Sequence, residues 1–342
     1  MKQAVMTAPK TIEFRDVEVP EPKEGEVLVK VMAIGVCGSD VHVYHGLHPY
    51  VSYPLVQGHE VSCEVEKLGK NVSGFSKGDK VTIEPQVSCG TCYSCKHGLY
   101  NICDNLRVIG FQALGTASEY YAVSAKRLVK LPPSMTYNEG AMIEPLSVAV
   151  RAIKQSGDVR NKNVLVFGAG PIGNLVAQAA KAMGASKVMI SDLNEFRLKK
   201  AKECGIEFTV NPVKQDLNAE VIEKFGASER ADVIFECVGV NATMDAAIDV
   251  ARKGTPIVVV GVFANKASLD MAKVNENELR LLGTARYVIA DFETAKDLVA
   301  SGAINLKSLV SNTFKFADYD AAYKIIHDKP EETMKVIVEI QK

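Results

Sequence analysis

Eight cysteines are spread over 342 residues, at 37, 63, 89, 92, 95, 103, 204 and 237, and four of them fall within fifteen residues. The run Cys89-x2-Cys92-x2-Cys95-x7-Cys103, bounded by Gly90 and Gly98, offers four thiolates from one loop. Soft sulfur donors suit zinc or an iron–sulfur cluster better than magnesium or calcium, and a metal closed by four cysteines is structural rather than catalytic. The flanking charge is not basic, which argues against a nucleic-acid finger. Glu13 and Asp16 arrive before any apolar run could form a secretory signal, so a reducing, cytoplasmic setting is expected and metal is preferred over disulfides.

A second chemistry lies at Gly168-Ala169-Gly170-Pro171-Ile172-Gly173. On its own a G-x-G-x-x-G run is weak evidence. Here it follows the apolar stretch 164–167 and opens a helical pattern, so Gly168 permits the turn, Gly170 lets a pyrophosphate approach and Gly173 lets helix and strand pack. Phosphates at a helix N-terminus meet unpaired N–H groups and a favourable dipole. Asp192, 24 residues after Gly168, ends the next strand pattern. A carboxylate there accepts hydrogen bonds from ribose hydroxyls and repels a 2′-phosphate, which favours NAD over NADP. Arg197 follows on the next helix, as a cofactor contact or as a solvated helix charge.

A third group is dispersed: Cys37, His59, Glu60 and Glu144. Each has a plain explanation alone. A single Cys is small core filler, and an acid before Pro145 suits a first helical turn. Their residue types are those of a metal site, but their spacing does not assemble one.

The elements around these residues change texture along the chain. Short strand patterns at 4–6, 27–33, 61–68 and 80–84, separated by Gly, Pro, Asp and Asn, predict a compact β-rich unit. From about Leu146, strands at 163–167, 187–191, 232–237, 256–262 and 278–283 alternate with helices. One helix carries Ile172, Leu175, Val176, Ala179, Ala180 and Met183 on one face. Such alternation predicts a doubly wound parallel sheet, hence an α/β protein. The apolar stretch 164–185 contains Asn174, Gln178 and Lys181 and is read as soluble. Forty basic against 41 acidic residues leave a formal charge of −1, so neither nucleic acid nor membrane is an expected partner.

Several stretches together resemble the medium-chain zinc dehydrogenases over essentially the full length, most closely the sorbitol and related polyol dehydrogenases. They are GVCGSDVH (35–42), GHE (58–60), GDKVTIEP (78–85), EGAMIEPLSVAV (139–150), GAGPIG (168–173), AKAMGA (180–185) and ARY (285–287). The resemblance implies a GroES-like catalytic domain at 1–147 and 287–342, with a zinc lobe at about 88–104, and a Rossmann domain at 148–286. It implies two zinc ions per chain. One is held by Cys89, Cys92, Cys95 and Cys103; the other by Cys37, His59 and an acid, either Glu60 or Glu144. Ser39 is the implied proton acceptor and His42 its outlet. Arg286 is implied to pair with Glu144, Tyr287 to line the substrate pocket, and Val260, Gly261, Val262, Thr284, Ala285 and Arg286 to touch NAD. The family's pocket tyrosine is Val43 here, with Tyr44 beside it. His45 and His48 read as exposed loop residues, Cys204 and Cys237 as packing. The implied activity is oxidation of a small polyol by a homodimer or homotetramer. Alternatives are a threonine 3-dehydrogenase, a sugar-phosphate or inositol-type enzyme, or a nucleotide-binding relative without turnover.

Overall fold

The computed structural model describes residues 1–341, which divide into two compact units. The first comprises Met1–Glu144, Val288–Lys296 and the chain from Val310 on; the second comprises Pro145–Tyr287 and Asp297–Leu309.

The first unit is organised on one long strand, Glu26–Val36, of which only Glu26 and Lys30 escape full burial. Its β-branched and apolar run fits a strand covered on both faces. One edge pairs antiparallel with Glu60–Leu68 along most of its length. The other edge is shared. Tyr120–Ser124 takes the first half and Lys335–Glu339 the second, so the chain's C-terminal strand closes against its N-terminal third. Val310–Lys315 pairs parallel with Lys335–Glu339, while Lys80–Ile83 and Leu128–Lys130 extend the sheet on the far side. Val27, Val29, Val31, Ile34, Val61, Val65, Val81 and Ile83 form the middle of the core. The β-rich first third is therefore as expected, and the two C-terminal strands come from a tail whose place the pattern left open.

The second unit is a six-stranded parallel sheet. Its spatial order is Phe208–Val210, Lys187–Ser191, Asn163–Phe167, Val233–Glu236, Pro256–Val259, Arg280–Gly283. Counted along the chain this is 3-2-1-4-5-6, the doubly wound order, with its switch point between Asn163–Phe167 and Val233–Glu236. Five of the strands lie where the apolar runs predict. The sixth, Phe208–Val210, is three residues long, too short for a periodic signal. Helix Pro171–Ala182 buries Leu175, Val176, Ala179 and Ala180. Its buried polar residues are occupied: Asn174 donates to the Ala169 carbonyl at 2.5 Å, and Gln178 accepts from Asn305 N at 2.7 Å. The sequence draws the domain boundaries after 147 and 286; packing draws them after 144 and 287 and returns residues 297–309 to the second unit. The Gln178–Asn305 bond is one physical reason for that return. Among the described residues no helix is long and apolar enough to cross a membrane.

Candidate active site and metal centres

Cys37, His59 and Glu60 are brought together by strand register. Cys37 follows directly on Glu26–Val36 and caps the short helix Gly38–Tyr44. Glu60 opens the neighbouring strand directly opposite Gly35, and His59 precedes it. Gly58, at a φ of +95°, turns the chain into that strand, its carbonyl accepting from Thr116 N at 3.1 Å and Thr116 Oγ1 at 3.0 Å. One donor atom from each of Cys37, His59 and Glu60 lies within 4.8 Å of the others. Thiolate, imidazole and carboxylate are zinc's usual donors, and three protein ligands leave a position open for chemistry.

Asp40 organises this set from behind. It is 1% exposed, and its carboxylate accepts from Cys37 N at 3.0 Å and Gln57 Nε2 at 3.2 Å and faces His59 Nδ1 at 3.3 Å. A carboxylate on one ring nitrogen fixes the imidazole's tautomer and turns the other nitrogen toward a metal. Burial alone would lower the His59 pKa. The charge and hydrogen bond of Asp40, with Cys37, outweigh it, and the pKa stands well above the ordinary value. The Phe111 ring packs on His59 at 5.1 Å between centroids.

Glu60 faces a second buried charge, forming an ion pair with Lys335. Burial opposes the ammonium, but Glu60, Cys37 and Glu144 hold its pKa above the usual value. Neither Asp40 nor Lys335 is among the site residues the sequence suggested. Asp40 was visible inside GVCGSD, whereas Lys335 lies 275 positions from Glu60 and carries no local signal. Glu144 is buried in the first turn of helix Ile143–Ser156, outside the triad of close donors.

Ser39 Oγ lies 3.0 Å from Cys37 Sγ, and His42 follows one helical turn later, exposed. Val43, at the position of the family's pocket tyrosine, is wholly buried in the core. Tyr44 does not replace that tyrosine: it stacks on Tyr323 and donates to Asp320 at 2.9 Å. His45 and His48 are half-buried rather than exposed, His45 against His327 and His48 against Phe111.

In the cysteine loop all four sulfurs come within 4.8 Å of one another, and none is in a disulfide. Backbone N–H groups of Thr91 and Cys92 point at Cys89 Sγ, at 3.5 and 3.4 Å, and Cys89 N points at Cys103 Sγ at 3.3 Å. The Thr91 N–H and hydroxyl, with Cys92, pull the Cys89 thiol down to about 6. Burial and the adjoining thiols push Cys95 the other way, up to about 12. Four crowded sulfurs cannot all ionise without a cation; with one they can, which is what a closed zinc site supplies.

The second unit carries the dinucleotide features. Gly168 turns with a φ of +92°, and a side chain at Gly173 would overlap the Gly168 carbonyl. Around Gly170 the space is open, the nearest group being the Arg197 guanidinium at 4.0 Å from where a Cβ would stand. Arg197 is half-buried beside the glycine turn rather than solvated. Asp192 accepts from Ala169 N at 2.6 Å and Asn194 N at 2.8 Å, which ties the second strand's end to the turn. Glu236, unsuspected from sequence, is fully buried at the switch point. It accepts from Val238 N and Gly239 N, both at 2.9 Å, and from Thr243 Oγ1 at 2.7 Å. An acid ending the apolar run VIFE was its only signal. Val260, Gly261 and Val262 leave the carboxyl end of Pro256–Val259, and Thr284 and Ala285 that of Arg280–Gly283. Ligands of doubly wound sheets bind at that edge. Gly261 has no room for a side chain against Gly239, and Val262 is exposed. Arg286 adopts a left-handed φ of +53°, and Tyr287 is buried.

A doubly wound sheet with a dinucleotide turn and a β-rich unit bearing a sulfur–nitrogen–oxygen donor triad define a metal-dependent, nicotinamide-linked dehydrogenase. Residues 23–133 match the alcohol dehydrogenase GroES-like domain and residues 171–301 the zinc-binding dehydrogenase domain. The chain is 37% identical to 2-dehydro-3-deoxy-L-galactonate 5-dehydrogenase of Pseudoalteromonas atlantica, over 93% of this chain and 92% of that one. It is equally identical to sorbitol dehydrogenase 1 of Saccharomyces cerevisiae, over 91% and 90%. The crystal structure of galactitol-1-phosphate dehydrogenase from Escherichia coli matches with a TM-score of 0.91 at 29% identity, over 99% of both chains. The chain belongs to the zinc-binding, medium-chain alcohol dehydrogenase family, as an NAD-dependent enzyme of the alcohol and polyol type.

Proposed function

We propose that this enzyme oxidises a secondary alcohol of a small polyol, of the sorbitol or xylitol kind, to the ketose with NAD as hydride acceptor. The observation that carries the reading is the convergence of Cys37, His59 and Glu60 donors within 4.8 Å, with Ser39 and His42 on the segment that Cys37 opens, in a chain whose relatives include a sorbitol dehydrogenase. Zinc held by these three residues, when bound, supplies positive charge that acidifies a neighbouring hydroxyl.

The chain's own residues do the rest. Asp40 orients His59 and, through Cys37 N, fixes the helix that presents Ser39. Ser39 Oγ receives the substrate's hydroxyl proton while passing its own on to His42, three residues on along the same helix face, which releases it to solvent. Glu144 tempers the charge around the hydroxyl. Gly170 admits the pyrophosphate, and Asp192 takes the adenine ribose, favouring NAD. Cys89, Cys92, Cys95 and Cys103 hold a second, structural zinc. A homodimer or homotetramer in the cytoplasm completes the reading.

A second reading, oxidation of a sugar acid, draws on the Pseudoalteromonas relative. The test is initial-rate NAD reduction with sorbitol, xylitol, galactitol, myo-inositol, galactonate-type sugar acids, galactitol phosphate and threonine, with and without a zinc chelator. Chelator-sensitive turnover of free polyols supports the proposal. Turnover confined to the acids, the phosphate or threonine overturns the polyol assignment while keeping the metal chemistry.

A further inference from the structure

Glu60 differs from the other close donors in having two oxygens, and its surroundings treat them differently. One oxygen, Oε2, forms the ion pair with Lys335, and the ammonium also donates to the Val36 carbonyl at 3.2 Å. Both partners are shut away from solvent, Lys335 at 3% and Glu60 at 1% exposure. The same oxygen occupies the space a side chain at Gly35 would fill, since a Cβ there would overlap it. Register explains the meeting. Gly35 stands opposite Glu60 on one side of the long strand and Val36 opposite Val336 on the other, so Lys335 enters beside the end of that strand.

A buried ammonium next to a metal site calls for a reason, because it repels the cation that the neighbouring donors attract. Counting donors suggests one. A zinc site with four protein donors is closed, and a working one keeps a position for substrate. Cys37, His59 and a single oxygen of Glu60 make three; both oxygens would make four. We propose that Lys335 is a positioning residue which, with Gly35, withholds one oxygen of Glu60 from the metal and so keeps the substrate's coordination position open. This rests on the reading of Cys37, His59 and Glu60 as a zinc site given above.

The two natural substitutions separate this role from a merely structural one. In Lys335→Met the oxygen is released, so the zinc at Cys37 should leave to a chelator more slowly, by about tenfold, a usual size for an outer-shell effect. In Lys335→Arg the planar fork can engage both carboxylate oxygens and draw Glu60 off the metal, so release should quicken by a similar factor, about tenfold. A lysine that only stabilises the fold predicts the reverse: faster loss in Lys335→Met and little change in Lys335→Arg.

The experiment uses full-length, zinc-loaded protein, with release timed by a chromophoric chelator and cobalt-exchanged samples followed by visible absorption. Slower release in Lys335→Met, or faster release in a folded Lys335→Arg should the first variant not fold, supports the proposal. A weaker cobalt band in Lys335→Met, as coordination number rises, would agree. Unchanged or accelerated release in Lys335→Met overturns it, as does unchanged release in Lys335→Arg where Lys335→Met does not fold. Wild-type protein that holds zinc in the cysteine loop alone removes the metal-site reading itself, and this inference with it.

Discussion

Replacing Asp40 by Asn tests whether the carboxylate behind His59 sets the metal's affinity. The side chain keeps its shape and loses one negative charge. Two donors converge on its carboxylate, Cys37 N and Gln57 Nε2, and His59 Nδ1 faces it at 3.3 Å. An amide has one oxygen for them and turns its own N–H groups toward the remainder, leaving a buried donor unpaired at a cost of about 1–3 kcal/mol. Outer-shell carboxylates on metal-binding histidines are worth about 10–100-fold in affinity. The expected loss therefore lies at about 1.4–2.8 kcal/mol of zinc binding. Titration against a chromophoric chelator resolves the two metals, because the cysteine-loop zinc shares no residue with Asp40 and serves as an internal standard. Only the Cys37 metal should loosen. If both are held as in the wild type, Asp40 acts as a helix cap alone and the argument from His59 is wrong.

Other consequences can be checked in the same protein. Asp192→Ala should raise the KM for NAD and narrow the preference over NADP; unaltered cofactor kinetics would mean the carboxylate serves only the Ala169 and Asn194 backbone. Gly173→Ala places a methyl against the Gly168 carbonyl and should lower stability by about 1–3 kcal/mol while weakening NAD binding, read by thermal melts with and without cofactor. Glu84, 3% exposed, has its pKa pushed up to about 7 by burial, against the opposing pull of Gln86 and Arg127. A carboxyl raised on folding favours the native state while protonated, and that contribution fades as pH climbs from its unfolded value through about 7. Glu84→Gln should therefore gain stability over wild type at pH 8 relative to pH 5, by up to about 3 kcal/mol. Urea midpoints that shift identically with pH in the two proteins would refute this.

Sequence spacing made two of the three chemical centres legible because each is local. The four cysteines lie in one loop, and the glycine turn has its strand before it and its helix after it, so neighbours along the chain are neighbours in space. Apolar periodicity likewise marked five of the six parallel strands, four of them buried on both faces so that each leaves an uninterrupted apolar run. The donor triad was different. Cys37 and Glu60 gained their meaning from family resemblance, and their meeting depends on the antiparallel register that sets Gly35 against Glu60. Lys335 could be placed only by folding, since the last strand returns to pair with Val36 after some 300 residues of intervening chain. The same holds for Glu236 and Gln178, whose partners include backbone groups of turns that exist only once the sheet is assembled. Patterns of hydrophobicity record which face of an element is buried. They carry no record of which distant strand will lie against it, and it is that pairing which brings a buried lysine to Glu60.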